Sequence, residues 1–213
     1  MHRFFFSFLV LITLLPGTST LAGSDPLGLM ESRYGGQCFS AHFQQVSILA
    51  AMGISERAEG RVVFAHPGRM RWEYENPEPR LIVTDGHTLW IHSPLEKEVL
   101  RGDAAPYFGK GKGGRFLSDM ASLREDFTRT ETDTSEEERI RIRLFPKSPE
   151  PGLTELIIET ERETGRIISA ETLNAYGDVT RIRFFGEETH RNCPDSMFIF
   201  TPPPGTQIFE LAE

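Results

Sequence analysis

Five histidines follow the first twenty-two residues: His42, His66, His87, His92 and His190. Imidazoles at helical spacing, or thiolates in paired Cys-x-x-Cys motifs, would bind zinc. Here His87 and His92 stand five apart, on opposite faces of any strand, and neither HExxH nor a paired CxxC occurs. No metal is expected. A serine nucleophile would sit in a G-x-S-x-G elbow, which is also missing. "GKGKGG" (Gly109 to Gly114) lacks the GK[ST] ending of a phosphate loop and reads as a flexible basic loop. Carboxylates such as Glu73 and Glu75, or Asp119 and Asp126, select no pair that could flank a glycosidic bond. These residues support neither an enzyme nor a cofactor. With net charge −8 and no long run of Lys and Arg, a nucleic-acid partner is not expected.

The N-terminus carries a different signal. "MHR" is a short basic start, and Phe4 to Leu15 is apolar. "PGTSTLAGS" then places Thr20 and Ala22 before a cleavage point. Residues 1–22 read as a secretory signal peptide; a membrane anchor would need about 20 apolar residues. Gly23, not Cys, follows the cleavage point, so no lipid anchor is expected. The exported remainder, 23–213, reads as one domain in the periplasm, soluble and monomeric. It holds two cysteines, Cys38 and Cys193. An oxidising compartment favours joining them, and the chain-entropy model gives such a long loop roughly 4–5 kcal/mol. Two separate buried thiols are the alternative.

The elements that would position a site are mostly strands. Asp25, Pro26 and Gly35-Gly36 bound a short first helix. "FSAHFQQVSILA", "RVVFAH" and "RMRWEYE" then alternate with period two. In "RLIVTDGHTLWIH", Asp85-Gly86 marks a hairpin. "EVLRG" is a further candidate. "RFLSDMASLREDF" has helical spacing, with Phe116, Leu117, Met120 and Leu123 on one stripe. "RIRIRLF", "LTELIIETE", "RIISAETLNAYGDVTRIRFFGEE" and "MFIFTPPPG" complete the pattern, and the acids Glu136 to Glu138 read as a solvated turn. Ten or eleven mostly antiparallel strands must curl or split. A curved, unclosed barrel capped by helical segments fits; a two-sheet sandwich is the alternative. In "RMRWEYE", Met70, Trp72 and Tyr74 share one face, and Arg69, Arg71, Glu73 and Glu75 keep the other wet. By composition alone the apolar face is ordinary core.

Three stretches carry a family likeness. "FSAHFQQ" leading into "GRVVFAHPGRMRWEYENP", then "LIVTDGHTLWIHSP", and finally "FIFTPPPGTQI" together resemble the LolA family of periplasmic lipoprotein carriers. The resemblance implies a mainly β fold, an incomplete antiparallel barrel of about eleven strands with short helices forming a lid. It implies a chaperone that takes acylated lipoproteins from an inner-membrane ABC transporter. The chaperone shields their acyl chains and delivers them to an acceptor lipoprotein at the outer membrane, if one is present. A sensor or binding module of the same fold, responding to lipid or envelope stress, is the second expectation.

By that resemblance Met70 and Trp72 line the acyl-chain cavity, and Tyr74 follows by alternation. On the preceding strand Val62, Phe64 and His66 face inward by the same parity. Phe116, Leu117, Met120 and Leu123 belong to the lid. The family carries Arg before the proline, where it ties the lid; here His66 precedes Pro67. A histidine can donate a hydrogen bond there but is charged only when its pKa allows, so a weaker or different lid contact is expected.

Overall fold

Strand after strand pairs with its sequence neighbour, because each alternates apolar and polar residues and short turns follow. In the computed structural model, which describes residues 25–108, 115–117, 119–133, 138–148 and 151–211, these hairpins merge into one sheet. The segment read as a signal peptide and the Gly109 to Gly114 loop lie outside the described residues, as do Glu136 and Glu137. The first half contributes β1 (Cys38–Leu49), β2 (Ile54–Ala65), β3 (Arg69–Asn76), β4 (Arg80–Thr84), β5 (Thr88–Ser93) and β6 (Glu98–Asp103). The second contributes β7 (Phe127–Asp133), β8 (Arg139–Pro146), β9 (Glu155–Glu161), β10 (Ile167–Leu173), β11 (Val179–His190) and β12 (Gln207–Glu210). Their spatial order is β12-β6-β5-β4-β3-β2-β1-β11-β10-β9-β8-β7. The end strands β12 and β7 do not pair, so the barrel is unclosed. The fold is thus mainly β, as read from the sequence, with twelve strands instead of about eleven.

The additional strand reflects a correction at the C-terminus. "MFIF" does not pair; Asp195–Phe198 is a 3-10 turn, and β12 forms only after the prolines, parallel to β6. Pro202, Pro203 and Pro204 have no amide to give a ladder. Phe198 is needed elsewhere: with Cys38, Ala65 and Val83 it forms a second apolar cluster on the outer face, joined by Val63, Trp90, Met197 and Phe200. A disulfide between Cys38 and Cys193 pins this C-terminal strap to the start of β1.

The central hairpin needs one glycine. Gly60 sits at a register shift opposite Tyr74, where an added Cβ would meet the Glu73 carbonyl oxygen at 1.9 Å. At Asp85-Gly86 the expected hairpin turn joins β4 to β5. Asp85 Oδ1 accepts the His87 and Thr88 amides at 2.9 and 2.8 Å, and Gly86 takes a φ of 98°.

Among the described residues three short α-helices accompany the sheet: α1 (Pro26–Tyr34), α2 (Ala105–Phe108) and α3 (Ser122–Asp126). The stripe read as one helix is broken. Phe116 and Leu117 lie in a 3-10 turn, Arg115–Leu117, Met120 lies in the link, and Leu123 in α3. Phe127 already opens β7. The main core gathers the concave faces of both halves of the sheet, these segments, and Leu27, Met30 and Tyr34 of α1. Among the described residues no helix is long and apolar enough to cross a membrane.

Candidate functional site

Residues directly opposite in antiparallel strands share a face. The pairs Phe39↔Phe64, Ala41↔Val62, Val62↔Trp72 and Phe64↔Met70 therefore set one apolar row across β1, β2 and β3. Across β11 the row continues through Phe43↔Phe184. The rings interlock edge to face: Phe43 lies 5.0 Å from both Trp72 and Tyr74, and Phe64 5.3 Å from Trp72. Such arrangements match the negative ring face with a positive edge. Sequence reasoning misses Phe39, Phe43 and Phe184 as members of this floor, although "FSAHF" and "RIRFF" carry the alternation that places them.

The structure brings four of the expected cavity residues together and covers them. Val62, Phe64 and Met70 are each 1% exposed and Trp72 is 8% exposed. The expected lid residues, Phe116, Leu117, Met120 and Leu123, are buried in the same cluster, between 1 and 5% exposed. His66 differs from the inward parity. β2 ends at Ala65, and His66 stands exposed in the following turn, its carbonyl accepting from Arg69 Nη2 at 3.2 Å. The strand geometry that would turn it inward has already ended.

Tyr74 marks the border between this packed region and open space. It is half-buried, and its hydroxyl donates to Gln45 Oε1 at 3.0 Å. Burial pushes that hydroxyl's pKa up to about 12. Beyond it opens a cleft of about 520 Å³, lined among others by Gln45, Ser47, Tyr74, Arg80 and Ile82.

The covering segments are held by charge. Asp25, at the N-cap position of α1, makes no capping bond; its carboxylate instead accepts from Arg124 of α3 and from Arg129 of β7, the latter at 2.6 Å. Arg124 Nε also donates to Glu31 Oε1 at 2.6 Å. Desolvation raises the Asp25 pKa, but the bonds from Arg129 and Arg124 outweigh it and hold the carboxyl below its usual range. Lys147 Nζ donates to the carbonyls of Arg124 and Glu125, a favourable cation at the end of α3. The other end of α1 is fixed to the sheet. Tyr34 Oη donates to Glu187 Oε2 at 2.6 Å and accepts the Ile167 amide at 2.9 Å. Arg33 Nε donates to Glu187 Oε1 at 2.9 Å.

The outer face of β3 is not simply wet. Arg69 pairs with Asp195 and lies over the Phe198 ring, and Arg71 Nη1 donates to the Met197 carbonyl at 3.1 Å. Both arginines seat the C-terminal strap, a role that period-two patterning could not disclose. Glu73 bonds Arg71 at 2.6 Å, and Glu75 bonds Arg61 at 2.8 Å.

Comparison with known proteins agrees with this architecture. The family described as outer membrane lipoprotein carrier protein LolA matches residues 35–201. The outer-membrane lipoprotein carrier protein of Dechloromonas aromatica is 29% identical over 169 residues, 79% of each chain. That of Methylococcus capsulatus is 28% identical over 210 residues, 96% of this chain and 98% of its own. The crystal structure of a conserved protein from Thermus thermophilus superposes with a TM-score of 0.56 at 13% identity, over 87% of this chain and 97% of that one. A DUF1329 family protein from Desulfovibrio piger gives 0.51 at 12%, over 84% and 96%. At such identities the two structures speak to the fold alone. The sequence match over most of the strands says more: this chain belongs to the LolA family of outer membrane lipoprotein carrier proteins.

Proposed function

We propose that the chain is a periplasmic chaperone that accepts acylated lipoproteins released from the inner membrane, shields their acyl chains on its concave face, and delivers them to the outer membrane. In this reading residues 1–22 are removed on export, and 23–213 work as a monomeric carrier domain without a cofactor. The donor is an inner-membrane ABC transporter, and the acceptor is an outer-membrane lipoprotein where one is present. The observation that carries the reading is the cover. The apolar face of Val62, Phe64, Met70 and Trp72, with Tyr74 at its open edge, is packed in one cluster with short helical segments. Exposed ion pairs of Arg124 and Arg129 hold these at one end, and Tyr34 and Arg33 hold α1 to Glu187 at the other.

The physics asks for this construction. Each buried CH₂ contributes about 0.8 kcal/mol, so a chain of roughly 15 methylenes gains about 12 kcal/mol on leaving water. Two or three such chains need an apolar host that can also release them. Met70 and Met120 adapt to irregular shapes, and the aromatic rings supply area. The packed face is the empty carrier. Acyl chains enter from the cleft beside Tyr74, displace the cover, and take its place against Trp72. His66 and the stripe from Phe116 to Leu123 act at the cover, with Arg124 and Asp25 as its main tie.

Incubation of the mature protein with spheroplasts tests this. Released lipoprotein in a soluble one-to-one complex is the expected outcome. A folded protein that releases none would contradict it.

A further inference from the structure

Strand direction sorts the turns of the sheet between two ends. β1, β3, β5 and β10 run towards the same end, so the turns at 50–53, 77–79, 94–97 and 174–178 share it. Two of these turns touch: the Ala50 amide donates to Asp178 Oδ1 at 2.8 Å, and Gly177 lies beside Ala50. The cleft next to Tyr74 opens at this end as well, through Ser47, Glu56 and Pro77.

This rim is apolar where turns are usually polar. Residues 46–55, "VSILAAMGIS", carry no charge. Within them Ile48, Met52 and Ile54 are 43, 64 and 44% exposed; Tyr176, in the adjoining turn, is 71% exposed, and Leu95, in the β5–β6 turn at the same end, is 63% exposed. A tyrosine, apolar in body and polar at its tip, suits a membrane–water boundary. Behind the tips the charge is nearly balanced: Glu56, Glu78, Glu96 and Asp178 stand among Arg57, Arg80 and Lys97, one acid in excess, in a chain whose net charge is −8. The rim therefore has no surplus of cations to hold an anionic surface, and its apolar tips suit one without net charge.

We propose that this end of the sheet docks on the zwitterionic interface of a phospholipid bilayer, with Met52, Ile54, Leu95 and Tyr176 set among the headgroups. A stable protein interface needs about 1,000 Å² of complementary surface; a row of protruding tips offers insertion points instead. Docking here brings the mouth of the cleft to the lipid, so an acyl chain passes between bilayer and carrier without crossing open water. In this use the inference rests on the carrier reading, but the docking itself is measured apart from it.

The mature chain is floated through a density gradient with protein-free phosphatidylcholine vesicles, beside Met52→Asp/Ile54→Asp and Ile199→Asp. Ile199 is 64% exposed and follows the 3-10 turn of the C-terminal strap, outside the rim. Wild type and Ile199→Asp are expected to float equally, at low and high salt alike. The rim variant's bound-to-free ratio should fall about tenfold with an unchanged melting curve. No flotation of wild type, or an equal loss in Ile199→Asp, overturns the proposal. So does binding only to anionic vesicles, or only to vesicles that contain membrane protein, the latter marking a protein partner. Retention of a lipidated peptide in detergent-free solution is scored in parallel. A wild type that floats but retains no peptide refutes the carrier reading and leaves docking standing. One that retains peptide but does not float refutes docking alone.

Discussion

Replacing Arg124 by Ala separates a reversible cover from a permanent core. Arg124 bridges Asp25 and Glu31, and through them joins α3 to α1. The three side chains are 41, 43 and 34% exposed, so water screens each pair. Exposed pairs contribute about 0.5 kcal/mol apiece, and the bridge about 1 kcal/mol in all. If the cover must open before acyl chains bind, that tie opposes binding. Its loss should raise the open population, and with it the affinity for a lipidated peptide, roughly fivefold. Stability to urea should fall by the same ~1 kcal/mol. Titration of a fluorescent lipidated peptide reads the affinity, and urea unfolding reads the stability. Arg181→Ala is the control: Arg181 is 54% exposed and paired with Glu171 on the outer face of the sheet, so its loss should cost stability without changing affinity. An affinity that stays constant or falls in Arg124→Ala, with the stability loss present, would refute the idea that these segments open.

Other outcomes follow from the same geometry. Cys193→Ser releases the C-terminal strap and should lower stability towards the roughly 4–5 kcal/mol of the chain-entropy model, read by urea unfolding under oxidising conditions. Gly60→Ala pushes a methyl group into the Glu73 carbonyl and should cost on the order of 1–3 kcal/mol, read the same way. Burial raises the Tyr74 hydroxyl to about 12 and moves Tyr34 in the same direction. Their neutral forms are preferred in the folded state, so this contribution is fully present below pH 10, the ordinary tyrosine value, and is lost as pH rises towards 12. A pH-jump titration should show part of the tyrosinate absorbance appearing together with unfolding. Tyr74→Phe, which loses the bond to Gln45, should shift that late phase.

Much of the fold was legible because period-two patterning and one short turn suffice for neighbouring antiparallel strands. Asp85-Gly86 marks its hairpin by the side-chain and glycine chemistry the turn uses. Met70 and Trp72 lie on the face that alternation assigns them. What stayed hidden is long-range. Nothing local in "RMRWEYE" says that Arg69 and Arg71 would meet residues 195–198, some 126 positions later. "MFIF" has strand composition, yet Cys193 and Phe198 commit that segment to the outer face, and pairing resumes only past the prolines. The covering stripe kept its burial but not its continuous helix, since Phe116 and Leu123 can reach one core from two short segments. For the site, alternation set Val62, Phe64, Met70 and Trp72 on one buried face, but left out Phe39, Phe43 and Phe184 and failed at His66, where β2 has ended. The ties of the cover, Asp25 with Arg124 and Arg129, join chain positions about a hundred residues apart and leave no periodic trace.

The central claim is that the face bearing Trp72 is covered part of the time by lipid. A lipidated peptide with a photoreactive group on its acyl chain tests this most directly. After irradiation with the mature protein, mass spectrometry locates the attachment. The account predicts adducts on the concave face, at Phe64, Met70, Trp72 or Tyr74, and on the covering segment at Met120 or Leu123. Adducts confined to the outer face around Phe198 and Trp90, or none from a peptide that binds, would contradict it.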